Sequence, residues 1–439
     1  MTLDSKARRT RRRRTRPSKR LAPVDRSRLS AVTTPSHRVL FLTTATKPPL
    51  GADVAVLTQV IRSLDPGRHE VHVWMSVGDA SNPTPAYETI RDVAGLHLHP
   101  VNISRPANGS RSRRRLRTAF RGAFDVVRLA RRMRGQHIDL IHAADRPRDA
   151  ALCVVLARLT GAKSIIHCNV EYADWMSRPL RWALRHADAL VTVSSFVAGT
   201  LVAGGHRPDR IHVVLNVIDL DRWVPGRDRD EARREFGVLG DDPLVLSVCR
   251  LMRAKGPVQL IRACAAVRDR FPGLRLVIVG IEGPGGAEYR AEIDRTIREL
   301  GVGDMVEMAG WRTDVPRLMA AADVYAMPST FEPFGLVFLE SMAMTVPVVA
   351  IDNGGTPEVV EQGTTGLLSS PDDLDGLIDN LSQLLGNAAT RRRMGLAGRQ
   401  RVVEQFTTDR MARDIAAVYD SVAPPRRAES RSHHKCPTQ

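Results

Sequence analysis

Lysine is nearly missing from this chain. Of 65 basic residues six are Lys: Lys6, Lys19, Lys47, Lys163, Lys255 and Lys435. Arginine is the default cation, so a lysine inside a motif marks a place that wants a compact ammonium. Aromatic residues are also scarce, at 5%. That excludes rows of stacked aromatics as a platform for single-stranded nucleic acid. Cys153, Cys168, Cys249, Cys264 and Cys436 are odd in number and form no CxxC pair. They read as reduced thiols, four of them in apolar runs, and not as a disulfide framework. The longest uncharged stretch, 189–205, carries Thr192, Ser194, Ser195 and Thr200. It is too short and too polar to span a bilayer. Residues 21–36 hold no apolar core of a signal peptide.

What is present is length and localised positive charge. The 439 residues, 43% of them hydrophobic, are enough for the cores of two to three domains. The net charge of +17 sits in two appendages, since residues 1–36 and 105–134 each carry +10 and the remainder sums to −3. The first appendage is rich in Arg, Ser and Pro without apolar periodicity, and reads as a disordered tail. Within the second, Leu116, Phe120, Ala123, Phe124, Val127 and Ala130 recur at helical spacing among arginines. Residues 112–134 therefore read as a basic amphipathic helix, which either packs on the first domain or contacts an anionic membrane surface.

Between the appendages, short apolar runs alternate with helical stretches. Runs at 39–43, 71–75, 96–101, 140–142, 164–167, 189–193 and 212–215 form one series. Runs at 244–248, 276–279, 306–309, 324–327, 346–350 and 366–368 form another. Continuous apolar strands separated by helices mean parallel sheet covered on both faces. The expected fold is α/β, two doubly wound Rossmann-like domains facing a cleft. The expected parts are a tail at 1–36, a first domain at 37–216, a linker at 217–242 and a second domain at 243–403. A helix at 404–423 returns to the first domain, and a tail follows at 424–439. Residues 372–422 read as helical throughout.

Four places carry chemistry. In 331–340, FEPFGLVFLE, Gly335 opens a helix directly after a strand, so the amides of Phe334, Gly335 and Leu336 form an anion site. Glu332 and Glu340 flank it, and carboxylates suit the hydroxyls of a ligand. Arg250 and Lys255 follow the first strand of the second series, on the same sheet edge. A guanidinium and an ammonium there suit a diphosphate. Gly51 lies between the first strand and first helix, where it would let backbone approach a phosphate. His167 ends a strand of the first domain and is expected to face the cleft.

These motifs resemble those of the retaining GT-B glycosyltransferases of family 4, the glycosyl transferases group 1. The stretch from Pro328-Ser329 through Glu332-Pro333-Phe334-Gly335 and Glu340 to Gly354-Gly355, Glu358 and Gly366-Leu367-Leu368 is similar to the family's EX7E region. Arg250 and Lys255-Gly256 match its diphosphate motif, and Asn216-Val217-Ile218-Asp219 its hinge signature. Cys249, Val217 and Thr345 stand where the family tends to have glycine, and Gly51-Ala52-Asp53 is a reduced form of its N-terminal glycine loop. The resemblance implies transfer of a sugar from a nucleotide-diphosphate sugar, with retained anomeric configuration. The acceptor would be a glycan or a lipid-linked or envelope molecule. Arg250 and Lys255 would neutralise the leaving diphosphate, Glu332 would hold the donor sugar and Glu340 the ribose. Arg312 lies where the family places the base, and His167 near the reacting carbon. No cofactor and no metal is expected, since Asp219 and Asp221 have DxD spacing but belong to the hinge signature. The expected location is cytoplasmic, with the inner face of the membrane as a docking surface for 112–134. Other classes weighed are an epimerase or phosphorylase of the same fold, a catalytically dead binding subunit, and a nucleic-acid binder acting through the tail. The tail would bind nucleic acid without sequence specificity.

Overall fold

The computed structural model describes residues 36–44, 52–76, 78–79, 82–100, 126–226, 228–283 and 286–424. Gly51, most of 112–134 and both tails therefore lie outside the described residues.

The first domain is a seven-stranded sheet. Its strands are β1 (His37–Thr43), β2 (His69–Met75), β3 (Leu96–Pro100), β4 (Leu140–Ala144), β5 (Lys163–Cys168), β6 (Ala189–Thr192) and β7 (Ile211–Val213), in spatial order β3-β2-β1-β4-β5-β6-β7. Every neighbouring pair is parallel. Alternate residues of β1 feed two cores. Val39 and Phe41 pack with the helices Ala52–Ser63 and Thr408–Val422, while Leu40 and Leu42 pack with residues 126–136 and the helix Pro147–Thr160. Burial on both faces is why these strands read as unbroken apolar runs.

The second domain repeats the plan. Strands β8 (Leu244–Val248), β9 (Arg275–Val279), β10 (Val306–Gly310), β11 (Val324–Met327), β12 (Val348–Ile351) and β13 (Gly366–Ser369) form a sheet ordered β10-β9-β8-β11-β12-β13. All its pairs are parallel. The direction of the winding reverses between β8 and β11. The loops leaving those two strands therefore diverge to opposite faces and open a crevice at their carboxyl ends.

Three features differ from the sequence reading. Residues 372–422 are three helices, Leu374–Leu385, Ala388–Gln405 and Thr408–Val422. Asn387 and Thr407 break them by accepting the N–H groups of Thr390 (2.9 Å) and Arg410 (3.3 Å), which restarts a helix each time. The last helix covers the first domain: Tyr419 Oη lies 2.9 Å from His142 Nδ1, and His37 Nε2 lies 2.9 Å from the Ala423 carbonyl. Second, 217–242 is not a bare linker. It contains the helix Arg229–Glu235, and Arg229 and Arg233 both reach Asp323, at 2.9 Å each. Arg233 also donates to the Ala321 carbonyl at the end of the helix Val315–Ala321. Charges within the expected linker thus serve a helix carboxyl end. Third, in the described part of the basic segment the buried stripe is Leu129, Ala130 and Met133, packed on Leu40 and Trp74. Val127, assigned to the apolar stripe, is 44% exposed. Among the described residues no helix is long and apolar enough to cross a membrane.

Candidate active site

The crevice between β8 and β11 brings together residues far apart in sequence. After β8 the chain makes the turn Arg253–Lys255 and reverses at Gly256, whose φ is 72°. A Cβ on Gly256 would stand 2.3 Å from the Pro328 carbonyl, so only glycine lets this loop lie against the loop leaving β11. The two loops are then stitched together: Thr330 N–H and Ser329 Oγ each donate to the Ala254 carbonyl at 2.9 Å. The result is an ion pair, Lys255 Nζ to Glu332 Oε2, at 2.6 Å. Both side chains are nearly enclosed, 16% and 11% exposed. The sequence reading gave these two groups separate ligand contacts; the structure couples them.

Arg250, by contrast, is exposed, and no ion pair or side-chain hydrogen bond holds it among the described residues. With Leu251, Met252, Gly283, Glu288 and Tyr289 it lines a cavity of about 380 Å³ between the β8 loop and the glycine-containing loop after β9. The Lys255–Glu332 pair is not part of that cavity's lining.

Past Glu332, Phe334 is buried and packs edge-on to Phe406. Gly335 has φ 96°, and a Cβ there would strike the Phe338 ring at 2.3 Å. The helix Leu336–Ala343 starts at once. The helix does not follow the strand directly, since residues 328–335 intervene; the first N–H groups of a helix have no acceptor of their own, so Gly335 and Leu336 present theirs at the end of that loop. One and a half turns on, Glu340 is half-buried and no hydrogen bond holds its carboxylate among the described residues. Burial pushes this carboxyl up from 4.5 to about 7, against a weaker downward pull from Arg222.

Arg312 and His167 sit differently from expectation. The Arg312 guanidinium grips Asp314 through two bonds, 2.8 and 2.7 Å, and Glu235 through a third of 2.5 Å. Its side chain fastens the loop after β10 to the helix Arg229–Glu235, and the neighbouring Trp311 is 62% exposed. His167 does not face the cleft. It is fully buried, stacked on His142 with ring centroids 5.5 Å apart, and neither ring nitrogen has a partner among the described residues. Burial lowers its pKa to about 4, so the ring is neutral. The reason is the returning helix Thr408–Val422, which covers this face of the sheet through Tyr419 beside His142.

Two residues were missed. Glu358, in the short helix Thr356–Val359, crosses to the first domain and accepts the N–H groups of Ser195 (2.8 Å) and Phe196 (2.9 Å). Those are the free amides at the start of the helix Ser195–Ala203. Beside them Ser194 Oγ donates to the Pro333 carbonyl at 2.6 Å. The first domain therefore grips the loop that carries Glu332 and Gly335. The Ser194-Ser195 pair signals a helix start, but nothing in the sequence names its partner.

The glycosyl transferases group 1 model matches residues 228–401, and the glycosyltransferase family 4 model matches residues 54–222. A GDP-mannose-dependent alpha-(1-6)-phosphatidylinositol monomannoside mannosyltransferase of Mycolicibacterium smegmatis is 32% identical over 271 residues, which are 58% of this chain and 70% of that protein. The chain belongs to the group 1 glycosyltransferases. An alpha-maltose-1-phosphate synthase of the same organism is 33% identical over 269 residues, 58% of this chain and 67% of that protein. The fold of this glycosyltransferase matches that of Anabaena HepE in complex with UDP, with a TM-score of 0.73 at 22% identity, covering 88% of this chain and 100% of the other. Sucrose-phosphate synthase from Thermosynechococcus elongatus matches with a TM-score of 0.69 at 22% identity, covering 88% and 99%. Both share the two-domain architecture read from the alternating pattern, which the resemblance identified as GT-B.

Proposed function

We propose that this glycosyltransferase moves a sugar from a nucleotide-diphosphate sugar to a glycan or lipid-linked acceptor, retaining the anomeric configuration. The observation that carries the reading is the Lys255–Glu332 pair at the winding reversal, with Arg250, which holds no ion pair among the described residues, on the same loop after β8. An ammonium held by one carboxylate oxygen still has N–H donors to give a phosphate. The other carboxylate oxygen is left to accept from sugar hydroxyls. Arg250 and the amides of Gly335 and Leu336 add positive potential where charge grows as the glycosidic bond breaks. Glu340 accepts from the ribose hydroxyls. No carboxylate stands as an obvious nucleophile in the described site, which favours attack on the donor's own face with its phosphate as base.

The nucleotide sugars named for similar proteins, GDP-mannose and UDP-glucose, set the first compounds to try. The full chain is incubated with GDP- and UDP-sugars and candidate acceptors, and the product anomer is read by NMR. An inverted product overturns retention, and failure of every nucleotide sugar to bind overturns the donor assignment. We expect transfer to persist in EDTA because the cationic side chains take the place of a bridging metal; loss restored by Mg²⁺ or Mn²⁺ would point to Asp219 and Asp221. A lipid-linked acceptor is supported by the phosphatidylinositol monomannoside relative and by the basic segment. Each Arg near an anionic leaflet contributes about 1 kcal/mol at low salt. Co-sedimentation with anionic liposomes should therefore fall as salt rises, and fall further when Arg113, Arg114, Arg117 and Arg121 become Glu in a chain beginning at His37. Equal sedimentation of that variant points to a soluble acceptor.

A further inference from the structure

The outer edge of the first sheet carries a second constellation. Side chains of a strand alternate between faces, so β2 presents Glu70 and His72 on the face where β3 presents His97 and His99. The register sets His72 directly beside His97. Glu70 and His72 occupy the first half of β2, and His97 is the second residue of β3. The transfer cleft lies beyond the opposite, carboxyl ends of these strands, so this group takes no part in it.

Glu70 Oε1 lies 3.0 Å from His72 Nε2 and 4.0 Å from His97 Nε2. Among the described residues this is the group of three whose ligand atoms converge, all within 4.8 Å of one another. Two ligands each bonded to zinc at 2.0–2.1 Å and at a tetrahedral angle stand about 3.4 Å apart. The observed spacings bracket that figure, and small rotations of the exposed His97 ring would close the set. The outer contacts are those of a supported ligand set. Arg38 Nε holds the other Glu70 oxygen at 2.7 Å, and His72 Nδ1 lies 3.1 Å from His99 Nε2. A histidine that binds metal through one nitrogen is oriented by the partner of the other.

We propose that Glu70, His72 and His97 form a binding site for a divalent transition-metal ion of the Zn²⁺, Co²⁺ or Ni²⁺ class, tying the edge strand β3 to β2. Two imidazoles and one carboxylate suit these ions, whereas Mg²⁺ and Ca²⁺ call for oxygen ligands. The side chain of His97 is 53% exposed, which leaves the remaining positions open to water. Arg38 and Arg132 oppose the added charge, but Arg132 is exposed, so its charge is screened and its contact with His99 is free to break. Without metal, the same atoms run as a hydrogen-bonded chain from Arg132 through His99 and His72 to Glu70. His97 is outside that chain: it stacks on His72 with ring centroids 4.7 Å apart, and its Nε2 stands 4.0 Å from Glu70 Oε1, beyond hydrogen-bond distance. It is therefore the residue that tells a metal site from a hydrogen-bonded network.

The test uses the full chain without an affinity tag, stripped of metal and titrated with Zn²⁺ in a calorimeter and with Co²⁺ by visible absorption. The wild type should bind one equivalent that His97→Ala weakens by at least about tenfold, with loss of the Co²⁺ ligand-field bands. Zn²⁺ should raise the melting temperature of the wild type and not of His97→Ala. His97 is exposed, so the alanine variant keeps the fold. A His433→Ala, His434→Ala variant, altered in the tail, should bind that equivalent as the wild type does. If His97→Ala binds Zn²⁺ with unchanged stoichiometry and affinity, the cluster is a hydrogen-bonded network and the metal assignment is wrong.

Discussion

Replacing Glu340 by glutamine should make the free protein more stable and its nucleotide binding weaker. The half-buried carboxyl titrates at about 7 in the folded protein against 4.5 ordinarily. The sign follows from the direction of the shift. A carboxyl raised on folding ionises more readily in the unfolded chain, so folding loses stability as pH climbs from about 4.5 and the loss is complete somewhat above 7. At ~1.4 kcal/mol for each pH unit of the shift, the cost of keeping Glu340 charged approaches about 3 kcal/mol at pH 8. The solvent edge of the side chain makes that a ceiling. Glu340→Gln removes the charge and the penalty. For a domain of this size a kcal/mol moves the melting temperature by about 2–4 °C. The variant should therefore melt several degrees higher than wild type at pH 8 and only about 2–3 °C higher at pH 5. Adding a nucleoside diphosphate should narrow or close that gap at pH 8. The ribose hydroxyls lose an ionised acceptor worth about 1.5–3 kcal/mol, and with it most of the ligand's stabilisation. Differential scanning fluorimetry at both pH values, with and without GDP and UDP, reads all four numbers. A gain of the same size at pH 5 and pH 8 would refute the ionisation argument. A variant that gains stability yet binds nucleotide as well as wild type would refute the assignment of Glu340 to the ligand.

Three more outcomes follow from particular contacts. Lys255→Ala leaves Glu332 charged, nearly enclosed and unpaired, so transfer should fall by about 10²–10³-fold in initial-rate assays, and Lys255→Arg should not rescue it because a planar fork cannot take the place of an ammonium 2.6 Å from the carboxylate. Thr345 holds φ 61°, a left-handed conformation that a β-branched residue adopts only under strain, at the position where the family tends to have glycine. Thr345→Gly should stabilise the protein by about 1 kcal/mol in urea unfolding, and a loss would show that the surroundings favour the threonine. Glu358→Gln weakens two charge-assisted contacts to the helix Ser195–Ala203 while leaving each domain's core intact. Small-angle scattering should show a more open average shape and the donor KM should rise more than kcat falls; an unchanged KM would remove Glu358 from the positioning of the donor loop.

Some of this architecture was legible in the residues alone. Strands buried on both faces read as continuous apolar runs, so β1 and β8 and their neighbours stood out, and helical stretches between them implied parallel sheets. The crevice edge was legible as well, because in a parallel sheet every strand's carboxyl end points the same way. Arg250, Lys255, Glu332 and Gly335 could be put on one edge from that rule, and Lys255 stood out against a background of arginine. Tertiary structure decided which of them touch. Lys255 and Glu332 pair because Gly256 lets two loops lie together, a contact between segments that no local pattern encodes. The same holds for His167, which reads as a strand-end histidine until the returning helix brings Tyr419 against His142 and closes that face. Arg229 and Arg233 read only as part of a linker because their acceptors, Asp323 and the carbonyl of Ala321, lie far along the chain. Glu358 is silent for the same reason: its acceptor role exists only when the first domain presents the amides of Ser195 and Phe196. Periodicity and strand direction are properties of the chain near each residue, whereas ion pairs, enclosure and capping across domains depend on which distant segment arrives beside it.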